Sequence, residues 1–338
     1  MPNQVSSSYP DKLLKNSKAS ESEATGDNTV LLTSSIVIIT RNRPAMLQRC
    51  LERLRDQPAN EILVVDASDD RRTEKIVADC NSIRYVPFCG ARHQMPASRN
   101  LGIARCTGGI VVFIDDDSLV HPAWLTTLLS HYGDKTVGAV GGRAIDPTEP
   151  ILPDAEMVGR LLADGTRIDN FNADPGRVLE VDRVRGCNMS FRRDLLVKLG
   201  GFDRRYRGSN VNEAADMCLR VKQAGYRILY DPRAAVDHLA APREAISRDP
   251  GTWWTQYYLA RNRAYLLLKI LGGQRHILYA LWVRDLEKAL KQSRQASWSG
   301  SPWLLAHLLG KVVGSWIALL PRQTGLPTAI RTPRHNSP

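Results

Sequence analysis

The run Ile110-Val111-Val112-Phe113-Ile114-Asp115-Asp116-Asp117-Ser118 sets five apolar, mostly β-branched residues directly against three carboxylates. The apolar stretch predicts a strand buried on both faces. Its end is a poor place to solvate three mutually repelling charges, and a divalent cation makes the arrangement favourable. Asp115 and Asp117 fall on one side of an extended segment, because side chains alternate there with period two. Hard oxygen ligands suit Mg²⁺ or Mn²⁺. In open α/β sheets ligands bind beyond the carboxyl ends of the strands, so the triplet reads as a metal and phosphate site. The competing reading is an acidic turn that caps a helix starting near Pro122.

The elements that would position these carboxylates alternate. Residues 35–40, 61–66 and 83–86 read as strands. A helix follows Pro44, which suits a first helical turn, with Leu47, Leu51 and Leu54 at helical spacing. Further helices are expected after the turn Ala67-Ser68-Asp69-Asp70 and over residues 97–105. The pattern predicts an α/β fold, Rossmann-like, with a mostly parallel sheet and helices on both faces. Beyond it, strands are expected at 137–143, 181–190, 227–230 and 234–236, and helices at 194–199 and 212–224, each stopped by glycine. Residues 146–180, rich in Pro, Asp and Gly, read as a long functional loop or a variable insert. From Thr252 the pattern is helical. Three segments result: a polar tail (1–30), expected to be disordered and unlike a signal peptide; an α/β domain (31–245); and a C-terminal helical region (246–338), divided near Pro242 and Pro250.

The six cysteines are scattered without a Cys-x-x-Cys pair, which points to reduced thiols in a cytoplasmic protein and away from a disulfide framework or a zinc site. The net charge of +11 is concentrated: residues 241–338 hold 14 Lys and Arg against 4 Asp and Glu, together with six of the seven tryptophans. Basic residues interleaved with Trp and Leu describe a surface that lies on an anionic membrane, here the inner face of the cell membrane. The stretch 303–320 is apolar but holds His307 and Lys311 near its centre, which favours an interfacial helix over a span. A basic helical subdomain packed on the main domain is the plainer reading. The density of Leu, Ile and Trp argues against nucleic acid.

Five segments carry a family resemblance: IVIITRNRPAMLQRCLERL, ILVVDASDD, SRNLGIARCTGGIVVFIDDDS, GCNMSFRRDLLVKLGGFD and NEAADMCLRVKQAGYRILYDPRAAVDH. Their order and spacing over residues 34–240 resemble the family 2 glycosyltransferases of GT-A fold. The resemblance implies an inverting, metal-dependent, hexosyltransferase-like enzyme. It would move a sugar from a nucleotide-diphosphate donor (UDP, GDP or dTDP) to a glycan or lipid-linked acceptor, as in cell-envelope or exopolysaccharide synthesis. Asp66 matches the contact to the nucleotide base, Thr40 and Arg43 line the nucleotide pocket, and Arg99 lies near the donor. Asp115 and Asp117 match the DxD carboxylates that hold ribose and metal–diphosphate, with Asp116 between them on the donor side. His238 matches a histidine that completes the metal shell in some members.

One departure concerns the catalytic base. The family shows two adjacent acids where this chain has Glu213-Ala214-Ala215-Asp216, so Glu213 or Asp216 takes the role, or catalysis is weak or absent. Each candidate has a structural alternative. Asn210 and Glu213 fit a capping box, and Asp216 with Arg220 fits an i,i+4 ion pair. Asp66 could cap the next helix, Arg99 could pair with an acid on the sheet, and His238 could be a satisfied structural residue. Asn188 either lines the acceptor side or stabilises a turn. Two rival functions stay open: a sugar nucleotidyltransferase, which normally carries a Gly-rich phosphate loop that Ile36–Pro44 lacks, and a non-catalytic nucleotide-sugar-binding homologue.

Overall fold

A computed structural model describes residues 32–80, 82–90, 94–208, 210–240, 252–272, 279, 282–283, 287 and 301–320. The tail 1–30 and the division near Pro242 and Pro250 lie outside these residues. Strands β1 (Ser34–Thr40), β2 (Glu61–Asp66), β3 (Ile83–Pro87) and β4 (Ile110–Asp115) form a parallel half-sheet in the order β3-β2-β1-β4. Helices α1 (Pro44–Leu54), α2 (Arg72–Ala78) and α3 (Met95–Arg105) connect them. Leu47, Cys50, Leu51 and Leu54 are the buried face of α1, as their spacing requires. β4 is buried along its whole length, as expected of a strand covered on both faces.

Past β4 the sheet is mixed. β5 (Ser118–Val120) and α4 (Trp124–Ser130) precede β6 (Val137–Ile145). β10 (Asn188–Arg192) runs antiparallel between β4 and β6, and β11 (Arg227–His238) is parallel to β6. Residues 181–187, expected as strand, are not strand: the chain turns from Arg185 to Asn188 before β10 begins. The two short strands expected at 227–230 and 234–236 are one strand, β11, with a register shift between Asp231 and Val236 around Pro232, which has no N–H to give the ladder. Residues 146–180 are not a loose insert. They contain β7 (Arg160–Leu161), β8 (Arg167–Ile168) and β9 (Leu179–Glu180), and they bury Val158, Phe171 and Ala173.

Helices α5 (Arg193–Lys198) and α6 (Glu213–Gln223) complete the layer, and α7 (Trp253–Leu271) packs on it. The Tyr265 ring lies 5.1 Å from that of Tyr206, and Lys269 Nζ sits 2.7 Å from Asp203 and 2.6 Å from Asp216. Helix α8 (Ser301–Ala318) runs along α7. Gly310 and Gly314 let the two backbones meet, since a Cβ at either would strike the carbonyl of Tyr257 or Arg261. Among the described residues no helix is long and apolar enough to cross a membrane.

Candidate active site

The chain crosses over in opposite directions from β1, towards β2 on one side and β4 on the other, so a crevice opens at their carboxyl ends. The three carboxylates sit there and alternate. Asp116 turns away into the protein: it is fully buried, Thr40 Oγ1 donates to its Oδ2 at 2.6 Å, and Arg43 Nε at 3.2 Å. Arg43 also pairs with Asp116 Oδ1, and its Nη1 donates to Asp117 Oδ2 at 2.8 Å. Burial pushes the Asp116 carboxyl up to about 7, although Arg43 pulls it back. Expected at the donor, Asp116 instead has both oxygens engaged by Thr40 and Arg43. The helix-capping alternative is not realised, because α4 begins at Trp124 with Ala123 in the N-cap position and no side-chain cap.

Asp115, Asp117 and His238 bring one ligand atom each to within 4.8 Å of one another, all buried. Asp115 and Asp117 share a face by alternation. His238 arrives from β11, and Asn188 and Gly142 aim it. At the kink, Asn188 Nδ2 donates to the Ala234 carbonyl at 2.8 Å and to that of Arg143 at 3.0 Å, and a Cβ at Gly142 would strike Ala234 O. The end of β11 is then free to pair with β5, setting His238 opposite Ser118. His238 Nδ1 donates to Asp146 Oδ2 at 3.0 Å, and its Nε2 lies 3.7 Å from Asp117 Oδ1. Burial works to raise Asp146, but hydrogen bonds from Thr148 and His238 outweigh it and hold the carboxyl at about 2. Two carboxylates and a neutral imidazole, with the far ring nitrogen held by a carboxylate, are a donor set that fits Mn²⁺ or Mg²⁺.

Arg99, only 1% exposed, ties this cluster to α6. Its guanidinium pairs with Glu213 Oε1, reaches Asp115 Oδ1 at 3.5 Å and donates to the Gly186 carbonyl at 3.0 Å. It lies over the rings of Phe113 and Phe202, 5.8 and 5.5 Å from their centroids. Glu213 opens α6 without a capping box, because no side chain caps this helix and its carboxylate goes to Arg99. Its second oxygen, Oε2, is buried with no hydrogen-bond partner among the described residues. Arg99, Asp115, Gly186, Glu213, Ala214 and His238 line one cavity of about 370 Å³, which Thr255 and Leu259 of α7 help to wall.

The remaining expected residues lie elsewhere. Asp216 is fully buried away from this cavity. Arg220 Nε donates to it at 2.8 Å, Tyr206 Oη at 3.1 Å, and Lys269 Nζ lies 2.6 Å away. Asn188 is also fully buried: its Oδ1 accepts from Trp124 Nε1 at 2.9 Å and its amide is spent on the β11 kink, so it holds the position of His238 and does not face an acceptor. Asp66, at the end of β2, accepts from the Ser68 backbone (2.8 Å) and hydroxyl (2.5 Å) and from Tyr85 Oη (3.0 Å), and so fixes the turn after β2. Sequence reasoning missed Asp146, Glu149, Arg167, Arg183 and Arg185. Arg185 forks onto Glu149 with two 2.7 Å bonds, and Arg183 pairs with Asp169. The available signal was the density of Arg and Asp in 146–186, which a strand assignment for 181–190 hid.

A profile of the glycosyl transferase family 2 matches residues 35–200. A pre-mycofactocin glycosyltransferase of Mycobacterium tuberculosis is 29% identical over 220 residues, 63% of this chain and 44% of that protein. A glucosyl-dolichyl phosphate glucuronosyltransferase of Haloferax volcanii is 28% identical over 191 residues, 54% of this chain and 59% of that protein. The chain spans about half the length of these curated relatives. Among solved structures, the mannosyltransferase PcManGT of Pyrobaculum calidifontis, in complex with GDP-Man and Mn²⁺, superposes with a TM-score of 0.53 at 18% identity, covering 84% of this chain and 86% of that one. At that identity the likeness is one of fold.

Proposed function

Residues 35–200 of this chain are a family 2 glycosyltransferase domain of GT-A fold, and on that footing we propose that the chain moves a hexose, with inversion, from a nucleotide-diphosphate-sugar donor to a glycan or lipid-linked acceptor of the cell envelope. One observation carries the reading: Asp115, Asp117 and His238 converge at the end of β4, and Glu213, whose buried Oε2 has no hydrogen-bond partner among the described residues, lines the adjoining cavity. Asp115, Asp117 and His238 would hold a divalent cation, which would supply positive charge against the leaving diphosphate.

The protein's own groups do the rest. Thr40 and Arg43 at the end of β1, with the Asp66 turn at the end of β2, form the nucleotide side. Arg99 holds Asp115 and Glu213 in fixed relation. Glu213 Oε2 accepts the proton of the acceptor hydroxyl as that hydroxyl attacks the anomeric carbon opposite the diphosphate. Asp216, locked between Arg220 and Lys269, is not the base. The basic, Trp-bearing region 246–338 is read as lying on the inner membrane face.

The test is thermal stability with UDP, GDP and dTDP, each with Mn²⁺ and again with EDTA. A nucleotide at 100 times its Kd adds about 2.7 kcal/mol to the folded state. Stabilisation by one nucleotide that vanishes in EDTA and in Asp117→Ala supports the donor site; no shift with any nucleotide overturns it. A second reading, a nucleotide-sugar-binding protein without turnover, rests on Ala214, which lines the cavity where the family has an acid. A large gain in turnover in Ala214→Asp favours that reading, and a loss favours Glu213.

A further inference from the structure

At the C-terminal end of α8, Arg204, Arg205, Arg207 and Arg261 line a second cavity of about 300 Å³ with Gln94, Ile317 and Leu320. Among the described residues the lining contains no carboxylate. Arg261 is 6% exposed, and its Nη1 donates at 2.6 Å to a neutral acceptor, Asn262 Oδ1. Burial lowers its guanidinium, and the like charge of Arg207 adds to this. Arg205 Nη1 donates to the carbonyls of Ile317 (3.4 Å) and Leu320 (3.1 Å), which closes the end of α8. Arg204 and Arg207 are exposed, and among the described residues neither side chain has an ion pair. The adjacent acid, Asp203, is occupied by Tyr265 and Lys269. A buried guanidinium among like charges is costly until an anion joins it.

What the anion belongs to follows from α8. Leu305, Leu309, Val312, Trp316 and Leu319 step along this helix by four, three, four and three residues, and all are exposed, Leu319 by 83%. They form one apolar stripe opposite the face, with Gly310 and Gly314, that meets α7. Leu320, on the cavity wall, continues the stripe to the arginines. A soluble anion or a nucleic acid makes no use of an apolar stripe, whereas a lipid bilayer meets both features at once, with Trp316 at headgroup depth.

We propose that the four-arginine cavity receives the phosphate of an anionic membrane phospholipid while the α8 stripe enters the apolar layer. This rests on the membrane-surface reading above and assigns that reading to named residues. Segment 203–212 then connects the two sites, since Arg204, Arg205 and Arg207 line the lipid cavity and Asn210, Val211 and Asn212 line the catalytic one.

The experiment is flotation of the full chain with vesicles of phosphatidylcholine, with and without phosphatidylglycerol. Three double variants are compared: Arg204→Gln/Arg207→Gln, Leu309→Ser/Trp316→Ser, and the control Arg71→Gln/Arg72→Gln, which loses the same charge from the exposed start of α2. The first variant is expected to lose about five-fold in affinity per arginine for phosphatidylglycerol vesicles, and the second to lose binding to both compositions. The control should bind like the wild type. Equal losses in control and cavity variants would reduce the effect to net charge and overturn the proposal. So would wild-type binding by the cavity variant, or displacement by inorganic phosphate as effective as by lipid. Nucleotide-dependent stabilisation in the same variants stays at the wild-type level, so the donor site is judged separately.

Discussion

Two clusters of charge meet at segment 203–212, and they follow opposite rules. In the catalytic cavity and its surroundings guanidinium groups are matched by carboxylates: Arg99 with Asp115 and Glu213, Arg43 with Asp116 and Asp117, Arg185 with Glu149 and Asp146. In the cavity at the end of α8 four guanidinium groups line one space, with no acid among the described residues of its wall. The first cluster is compensated from within, so it holds its geometry before a ligand arrives and a cation adds to an ordered site. The second is completed from outside. Carboxylate pairing within the protein marks positions where geometry governs the chemistry, and a cluster of like charges marks a place where a partner supplies the opposite charge.

Glu213→Gln breaks the first cluster at the carboxylate proposed as the base and should give the largest effect. Turnover is expected to fall by about 10²–10⁴, while nucleotide stabilisation in Mn²⁺ is kept because the metal ligands are intact. A variant with unchanged turnover would remove Glu213 from the role of base. Asp216→Asn probes the same helix with the opposite expectation. It removes the carboxylate that Arg220 and Lys269 share in a buried site, which costs up to about 3–5 kcal/mol and shows as a lower melting temperature, with the remaining folded protein turning over normally.

Asp146→Asn sharpens the comparison one step from the proposed metal ligands. Loss of the carboxylate behind His238 should weaken Mn²⁺ binding by about 10–100-fold, read by titrating Mn²⁺ against nucleotide stabilisation, with turnover at saturating Mn²⁺ near the wild-type level. An unchanged Mn²⁺ requirement would mean that His238 does not act on the cation.

These positions were unequally legible in the sequence. The strand of Ile110–Asp115 and its carboxylates, the α1 face with Leu47, Leu51 and Leu54, and the parallel strands β1, β2 and β3 declare themselves, because period and composition are local properties. Asp216 looked like an i,i+4 partner of Arg220, and it is one, but Lys269, 53 positions further along the chain, closes the same group. Asn188 could not be read as the clamp on β11, because the Ala234 carbonyl that it holds is exposed to it only by the kink at Pro232. Asp146 and Glu149 sit in a segment without periodicity, where tertiary contact decides everything, and Arg185 lies in a stretch whose pattern reads as strand. The arginine cavity was legible only as a charge excess, since its four members come from two places in the chain.

Acidification tests the link between the two clusters. Burial would raise the carboxyl of Asp203, but Lys269 and Tyr265 outweigh it and hold the group below its ordinary 3.8. A carboxylate depressed on folding contributes stability that is present above the unfolded value and is lost as the pH falls through the folded one. Melting temperature should therefore drop between about pH 4 and lower values, and Asp203→Asn should flatten that part of the profile. A profile in Asp203→Asn as steep as the wild type would assign acid sensitivity to other carboxylates.

The smallest expected effect is the most discriminating for the second cluster. Arg204→Gln/Arg207→Gln removes two exposed charges that repel each other and Arg261, so in the absence of lipid stability should change by no more than about 0.5 kcal/mol, and in the direction of a higher melting temperature. With phosphatidylglycerol vesicles present the order should reverse, because the wild type then gains stability from bound lipid and the variant gains less. Two arginines kept for folding would lower the melting temperature when removed, with or without lipid. A sign that depends on the vesicle is what separates a cavity completed from outside from one that serves the fold.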